Sequence, residues 1–343
     1  MLPHPALATS WRLLRFCGRF ALGVMVLGLL LWAVGAFWYD LPGPPALRKG
    51  AAIILLLAVA GLWFSGSCKR RLAAVGILTA VTGWWLTLKP SNDGDWQPDV
   101  AQTASAEVNG DEITFHHVRN CEYRTLTDFT PHWETRTVNL SKLTGVDMAI
   151  NYWGLPYMAH PIVSFQFSET PPLCFSIETR MQVGQSYSAI GGLYRQYELI
   201  YIVSDERDVI RVRTNYRKNE DIYLYRINIS PERARERFME YVTSLNSLRE
   251  KPRWYHAITT NCTTSIRSQH SKMDRAKWDW RMLLNGKGDE LMYEREAFRT
   301  GGLTFEDLKK RSLINEAARA ANDAPDFSTR IRADRPWFAT TSP

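Results

Sequence analysis

Cys262 stands in the run Thr259-Thr260-Asn261-Cys262-Thr263-Thr264. Either Thr260 or Asn261 can cap a helix there, which leaves the cysteine in the first turn. Free backbone N–H groups and the positive end of the helix dipole favour a thiolate at such a position. The same N–H groups can hold the oxyanion that forms when sulfur attacks a carbonyl. A base is offered by the segment HPIVSFQF, which starts at His160, and a carboxylate by LCFSIETR, which starts at Leu173. In the first, Val163, Phe165 and Phe167 alternate with His160, Ser164 and Gln166; in the second, Leu173, Phe175 and Ile177 alternate with Ser176, Glu178 and Arg180. Alternation sends the two sets to opposite faces of a sheet. If the turn at 168–172 makes these strands a hairpin, His160 lies opposite Arg180 and diagonal to Glu178, roughly 7–8 Å away at Cα, a gap that side chains close. A histidine with a carboxylate in reach is therefore expected on the polar face. Two plainer readings fit the same pattern: an exposed sheet face with ordinary polar residues, and a small buried cysteine at a helix start. His256, six residues before the cysteine, is an alternative base.

Other groupings carry less chemistry. His116, His117, His132 and Cys121 resemble a metal cluster only loosely, because no CxxC or HExxH spacing supports them, and no metal or cofactor is assigned. There is no phosphate-binding glycine loop and no GxSxG elbow. Arg207, Arg211, Arg213 and Arg217 are interspersed with Asp205, Glu206 and Asp208, which reads as a solvated hairpin and not as a nucleic-acid groove.

The elements that would position these groups form an α+β pattern. Strands are expected at ITFHHVRN, YRTLTDF, ETRTVNL, IVSFQF, LCFSIETR, ELIYIVSD, DVIRVRTN and IYLYRINI between Ile113 and about Asn228. A helix capped by Ser230 runs to about Arg249, a second starts near Cys262, and Phe305–Ala321 reads as another. The fold class is an antiparallel sheet with flanking helices.

Ahead of this domain come three charge-free apolar runs, Phe20–Tyr39, Gly50–Cys68 and Leu72–Leu88, each long enough for a membrane helix of roughly 17–25 residues. The first is longer than a signal-peptide core of about 7–15 residues. The chain of 343 residues has a net charge of +7, which would ordinarily suggest a polyanionic partner. Residues 1–89 hold nine basic side chains and the single acid Asp40, a net of +8, whereas the rest holds 33 bases and 34 acids, a net of −1. The excess thus marks the membrane anchor, and nucleic acid is set aside as a partner. With Arg12, Arg15 and Arg19 before the first run and Lys69, Arg70 and Arg71 after the second, the basic-inside bias takes the chain in to out, out to in, and in to out. Residues 1–89 are then a three-helix anchor, 90–105 a linker and 106–343 a domain outside the cytoplasm. Of the five cysteines, Cys121, Cys174 and Cys262 fall on the oxidising side, and the expectation is a Cys121–Cys174 disulfide with Cys262 free.

The succession AHPIVSFQF, CFSIETR, YRQYELIYIVSDERDVIRVRTN and NCTTSI resembles the Lnb N-terminal periplasmic domain family over roughly Thr114–His270. The resemblance implies a permuted papain-like thiol fold of the NlpC type, in which a strand histidine precedes the nucleophilic cysteine. On that pattern Cys262 is the nucleophile, His160 the base and Glu178 the orienting residue. Arg180, Asn261 and Thr263 are the expected substrate contacts, with Arg180 set either to meet a phosphate or to structure the sheet. The family's named activity is lipoprotein N-acylation, so the resemblance implies acyl transfer through a cysteine thioester. A phospholipid donor, a lipoprotein acceptor and a place in the bacterial inner membrane with the soluble domain in the periplasm go with it. A cysteine peptidase or amidase acting on cell-wall peptide, and a non-catalytic envelope-binding module, remain the competing readings.

Overall fold

A computed structural model describes residues 5–154, 157–271, 274–282 and 285–338. The chain divides into two units, one of Met1–Pro90 with Ser188–Gln196, the other of Ser91–Tyr187 with Tyr197–Pro343.

The first unit is built on α1 (Pro5–Asp40), α2 (Pro45–Phe64) and α3 (Cys68–Thr87). Proline at the first position of α2 supplies a preset φ where its missing N–H costs nothing, and Gly66 makes the turn into α3 at φ +77°. Val26, Leu30, Ala33, Leu55, Val59, Leu78 and Val81 pack the three together. Three crossings were expected, but among the described residues only two helices, Leu14–Asp40 and Pro45–Phe64, are long and apolar enough to span a membrane. The third opens with Lys69, Arg70 and Arg71, and Gly76, Thr79, Thr82 and Gly83 dilute the rest of its run. Placement outside the cytoplasm therefore no longer follows from counting crossings.

The second unit is a sheet with helices on its faces. Its strands are β1 (Ser105–Asn109), β2 (Glu112–Arg119), β3 (Glu122–Tyr123), β4 (Phe129–Thr130), β5 (Trp133–Asn139), β6 (Leu143–Trp153), β7 (Ala159–Phe167), β8 (Leu173–Arg180), β9 (Glu198–Ser204) and β10 (Glu220–Arg226). The main sheet runs β1-β2-β9-β8-β7-β6-β10 with β5 also paired to β2, while β3 and β4 pair by themselves. One contact, β2 to β9, is parallel, so the sheet is mixed where an antiparallel one was expected. The helices are α4 (Glu206–Val209), α5 (Pro231–Glu250), α6 (Cys262–Gln269), α7 (Gly288–Glu294), α8 (Phe305–Ser312), α9 (Asn315–Ala320) and α10 (Phe327–Arg330).

Both faces of the sheet are covered. Ser230 caps α5, whose Phe238 sits edge-on against Phe165 at 5.0 Å and against Phe115 and Phe175. Those aromatic pairs close the side that holds Val163, Phe165, Leu173 and Phe175. The opposite side, with Ile162 and Cys174, is covered by Val209, Phe298, Leu308 and Phe327. His160, Ser164, Gln166 and Ser176 are consequently buried, and an exposed polar face is excluded.

Several local expectations change for identifiable reasons. DVIRVRTN is helical: the Asp205 side chain accepts from the Arg207 backbone and starts α4, and a π-helical turn follows at Val212–Tyr216. YRTLTDF is mostly a turn, closed by the Arg124–Asp128 ion pair. The helix expected over Phe305–Ala321 breaks between α8 and α9. There Ile314 N–H donates to the Ile222 carbonyl, and Asn315 bonds both the Ile222 N–H and the Glu220 carbonyl. The break covers the edge of β10, which would otherwise present unpaired backbone groups. Within the 90–105 linker, Trp96 and Val100 are buried against Ile200 and Ile202.

Candidate active site

The loop that delivers Cys262 is closed on itself. His256 and Thr260 exchange backbone hydrogen bonds, and His256 Nδ1 accepts from the N–H groups of Ile258 and Thr259 at 3.2 Å. His256 thus shapes the approach to the helix. Of the two expected caps it is Asn261 that serves. Its Oδ1 accepts from Thr264 N–H at 2.9 Å, its own N–H donates to Thr264 Oγ1 at 2.9 Å, and its Nδ2 donates to the Ala257 carbonyl. This reciprocal box fixes the entry angle of α6 and makes Cys262 its first residue. The amides of Cys262 and Thr263 then have no carbonyl one turn earlier to bond.

His160 meets this cysteine from β7. The Cys262 sulfur acts on the imidazole, whose Nε2 lies 2.7 Å from Ser176 Oγ and 3.3 Å from Glu178 Oε1. Ser176 Oγ donates to Glu178 Oε1 at 2.6 Å, and Arg213 Nη2 donates to the same oxygen at 2.6 Å. Burial by itself would lower the His160 pKa, but the Glu178 charge first and the Cys262 sulfur second outweigh it and push it up to about 9. For Glu178, burial works upward, yet His160 and Arg213 hold the carboxyl well below its ordinary range. At neutral pH His160 is thus an imidazolium beside a carboxylate. The β7–β8 ladder pairs Ile162 with Ser176 and Val163 with Phe175. Continued outward, it sets His160 across from Glu178, one step from the Arg180 partner expected of the hairpin.

Arg180 goes elsewhere. It is 2% exposed, stacks on Trp96 with the guanidinium 4.3 Å from the ring, and donates to the carbonyls of Val100 and Ala101 at 2.9 and 2.8 Å. These bonds tie the 91–104 segment to the sheet and leave Arg180 apart from the thiol. Thr263 stays beside it, with Oγ1 3.9 Å from Cys262 Sγ. Three further residues belong to the arrangement and had not been singled out for it: Ser176, Arg213 and Asn285. Asn285 Nδ2 approaches Cys262 Sγ at 3.8 Å and donates to Thr263 Oγ1 at 3.1 Å. The same amide bonds the Ala159 backbone in both directions, at 2.5 and 2.8 Å. It therefore links the strand bearing the base to the helix bearing the sulfur.

A pocket of about 280 Å³ adjoins this group, with Thr263 and Asn285 in its wall. Met148, Ile150, Pro161, Ile266, Leu291 and Met292 make most of the remainder, together with Arg267, Arg281 and Arg295. It falls just under the usual range of ligand pockets, roughly 300–1,000 Å³, and has their mostly apolar character. A larger, polar cleft of about 1120 Å³ lies between the 166–172 turn and the C-terminal segment and includes none of Cys262, His160 or Glu178.

Residues 129–286 match the Lnb N-terminal periplasmic domain family. No curated protein and no solved structure matches the chain. The matched segment begins at β4 and ends on the far side of α6, so it contains His160, Ser176, Glu178, Arg213, Cys262 and Asn285 together. It begins later and ends later than the expected span of Thr114–His270, and the added C-terminal stretch brings in Asn285. A periplasmic domain family joined to two apolar helices describes a membrane-anchored periplasmic protein.

The remaining cysteines correct one expectation. Cys121 and Cys174 are both buried free thiols and not a disulfide. Cys121 N–H donates to Asp208, whereas Cys174 lies within the sheet opposite Ser164 and Ser204. Burial pushes the Cys121 thiol up to about 12 and raises that of Cys174 as well, so both are weak nucleophiles. Cys262 is free. His116 pairs with Glu107 and His117 with the Thr103 carbonyl, apart from one another's partners.

Proposed function

We propose that this protein is a membrane-anchored periplasmic thiol acyltransferase that works through a Cys262 thioester, with phospholipid as donor and a lipoprotein amine as acceptor. We read the order of base strand before nucleophile helix as a permuted papain-like arrangement, held in the inner membrane by α1 and α2. The observation that carries the reading is the Cys262–His160–Glu178 line, with Arg213 behind it.

In the reacting form the Cys262 proton already rests on His160, and the sulfur attacks the ester carbonyl as thiolate while the developing oxyanion faces the amides at the start of α6. The carbon–oxygen bond to the glycerol breaks, and the leaving alkoxide receives the proton from His160. The acceptor amine then attacks the thioester, the carbon–sulfur bond breaks, and the amine proton returns through His160 to sulfur. Glu178 holds the imidazolium, Ser176 fixes its tilt, and Arg213 keeps Glu178 ionised. The pocket beside Thr263 and Asn285 supports an acyl chain over a peptide as the group delivered to sulfur, because the surface it presents is mostly apolar.

The test is intact-mass analysis of the full-length protein after incubation with phosphatidylethanolamine vesicles or with muropeptides. The proposal expects a hydroxylamine-sensitive acyl adduct from the lipid, absent in Cys262→Ala. An adduct from muropeptides alone establishes the amidase reading instead. No adduct from either, with Cys262 alkylated no faster than a model thiol, leaves a binding module.

A further inference from the structure

The nine residues Ser188–Gln196 leave the sheet after β8 and return at β9, yet they group with the membrane helices. The Asp40 carboxylate at the end of α1 accepts from Trp85 Nε1 at 2.7 Å, Arg195 N–H at 3.1 Å and Gln196 Nε2 at 3.1 Å. The Arg195 guanidinium lies 3.9 Å from the Trp85 ring and donates to the carbonyls of Trp85 and Leu88. Tyr194 stacks on Tyr39 at 5.1 Å and packs directly on Gly35, where a side chain would collide with its ring. The segment is thus latched to Tyr39, Asp40 and Trp85, the kind of aromatic and polar residues that sit at a membrane–water interface.

Its tip is built differently from its base. Gly192 N–H donates to the Ser188 carbonyl, Leu193 N–H to Ile190, Tyr194 N–H to Gly191, and Gly191 N–H to Ser188 Oγ. With the amides of residues 191–194 satisfied internally, the turn presents Ile190 at 61% and Leu193 at 36% exposure. Backbone that pairs its own amides is what entry into a lipid layer demands, and exposed apolar side chains at that depth otherwise face water at a cost.

We propose that the Ser188–Gln196 turn is a second membrane contact, which inserts Ile190 and Leu193 into the interface of the bilayer that holds α1 and α2. The occupant is lipid because the latch fixes the turn at the ends of helices that lipid already surrounds. The contact is independent of the thiol chemistry.

The experiment uses the full chain in phosphatidylethanolamine/phosphatidylglycerol vesicles, with Cys17, Cys68 and Cys262 replaced by Ser and a single environment-sensitive NBD label at Ile190→Cys. A label at Glu236→Cys on α5, a side chain 56% exposed, serves as the aqueous control. The Ile190 label should be quenched by lipids carrying a shallow doxyl group and be at least about threefold less sensitive to iodide than the control. Substituting Asp40→Asn together with Arg195→Ala should restore iodide access toward the control value. Equal iodide quenching at both positions overturns the proposal. So does protection from iodide without doxyl quenching, which would mean that protein covers the turn.

Discussion

Strand β7 carries two buried charge networks, one at each end, and their differences are instructive. At the His160 end, a carboxylate with one guanidinium behind it bonds an imidazole, and the imidazole ends on a thiol next to an apolar pocket. At the Ser164–Gln166 end, Arg332 bridges Asp147 and Glu206 at 2.7 and 2.6 Å, Arg226 pairs with Asp147, and Ser164 and Gln166 bond Glu206. Both are largely removed from water, with Glu178 keeping 23% of its side chain exposed and Asp147 and Glu206 none, so burial of charge alone does not account for the difference. The second network ends on itself: each carboxylate is met by a guanidinium, and the thiol beside it, Cys174 opposite Ser164, is raised by burial and so is a weak nucleophile. The first ends on a group that can give up a proton. A closed network stabilises and an open one can do chemistry.

The sharpest way to break the contrast is to remove the reactive end. Cys262→Ala should lower acyl transfer by about 10⁴-fold, read by mass spectrometry of the acceptor. Its unfolding midpoint should stay close to wild type, because a half-buried small side chain leaves little cavity. Arg332→Met should do the reverse. Asp147 and Glu206 are fully buried, and leaving Glu206 without a guanidinium and Asp147 with Arg226 alone should cost about 3–5 kcal/mol in denaturant unfolding of the detergent-solubilised chain. A loss under 1 kcal/mol would mean that the knot is not closed in solution.

Between these extremes lies Glu178→Gln. It keeps the shape but removes the charge that holds the imidazolium, and should cost about 10²-fold in transfer rate. The pH dependence of stability sharpens the same point. His160 has a folded pKa raised to about 9 from 6.5, so its contribution is complete below pH 6.5 and is lost as pH rises through 9. Glu206 is held below its ordinary value because Arg332 outweighs the upward push of burial. Its share is present above the usual carboxylate range and is lost only in acid. Wild type should therefore lose on the order of 2 kcal/mol between pH 6.5 and 9.5, and His160→Gln should flatten that slope. An unchanged slope in His160→Gln would place the alkaline loss elsewhere.

Much of the open network was legible in the sequence because local rules govern it. Alternation placed His160, Ser176 and Glu178 on the same side of neighbouring strands, and the Asn-Cys-Thr-Thr run announced a capped helix with the thiol at its start. Register was less accessible: the five-residue connection between β7 and β8 permits more than one pairing, so the partner of His160 came out one step off. The alternation of Val209 to Thr214 suits a strand as well as a helix that buries one side, and only the Asp205 cap decides it. Arg213 was for that reason assigned to solvent. Asn285 had no signal of its own, since its importance comes from touching residues 23 and 126 positions away. The third apolar run shows the limit of composition from the other direction, because length without enough hydropathy did not make a span.

The smallest expected effect concerns Asn285, and it tests whether the open network depends on being held as rigidly as the closed one. Its side chain bonds both backbone groups of Ala159, the neighbour of His160, while reaching Thr263 and Cys262. Asn285→Ala removes these ties without changing any charged group, so the His160 pKa and the alkaline slope of stability should stay as in wild type. What should change is the fraction of time that sulfur and imidazole are aligned, a loss of about tenfold in kcat with little change in KM. Asn285→Asp keeps an acceptor for the Ala159 N–H but puts a carboxylate near the sulfur, which should disfavour the thiolate and shift the acid limb of the rate profile upward. If Asn285→Ala instead raised KM alone, the residue would act as part of the pocket wall and not as the link between the two elements.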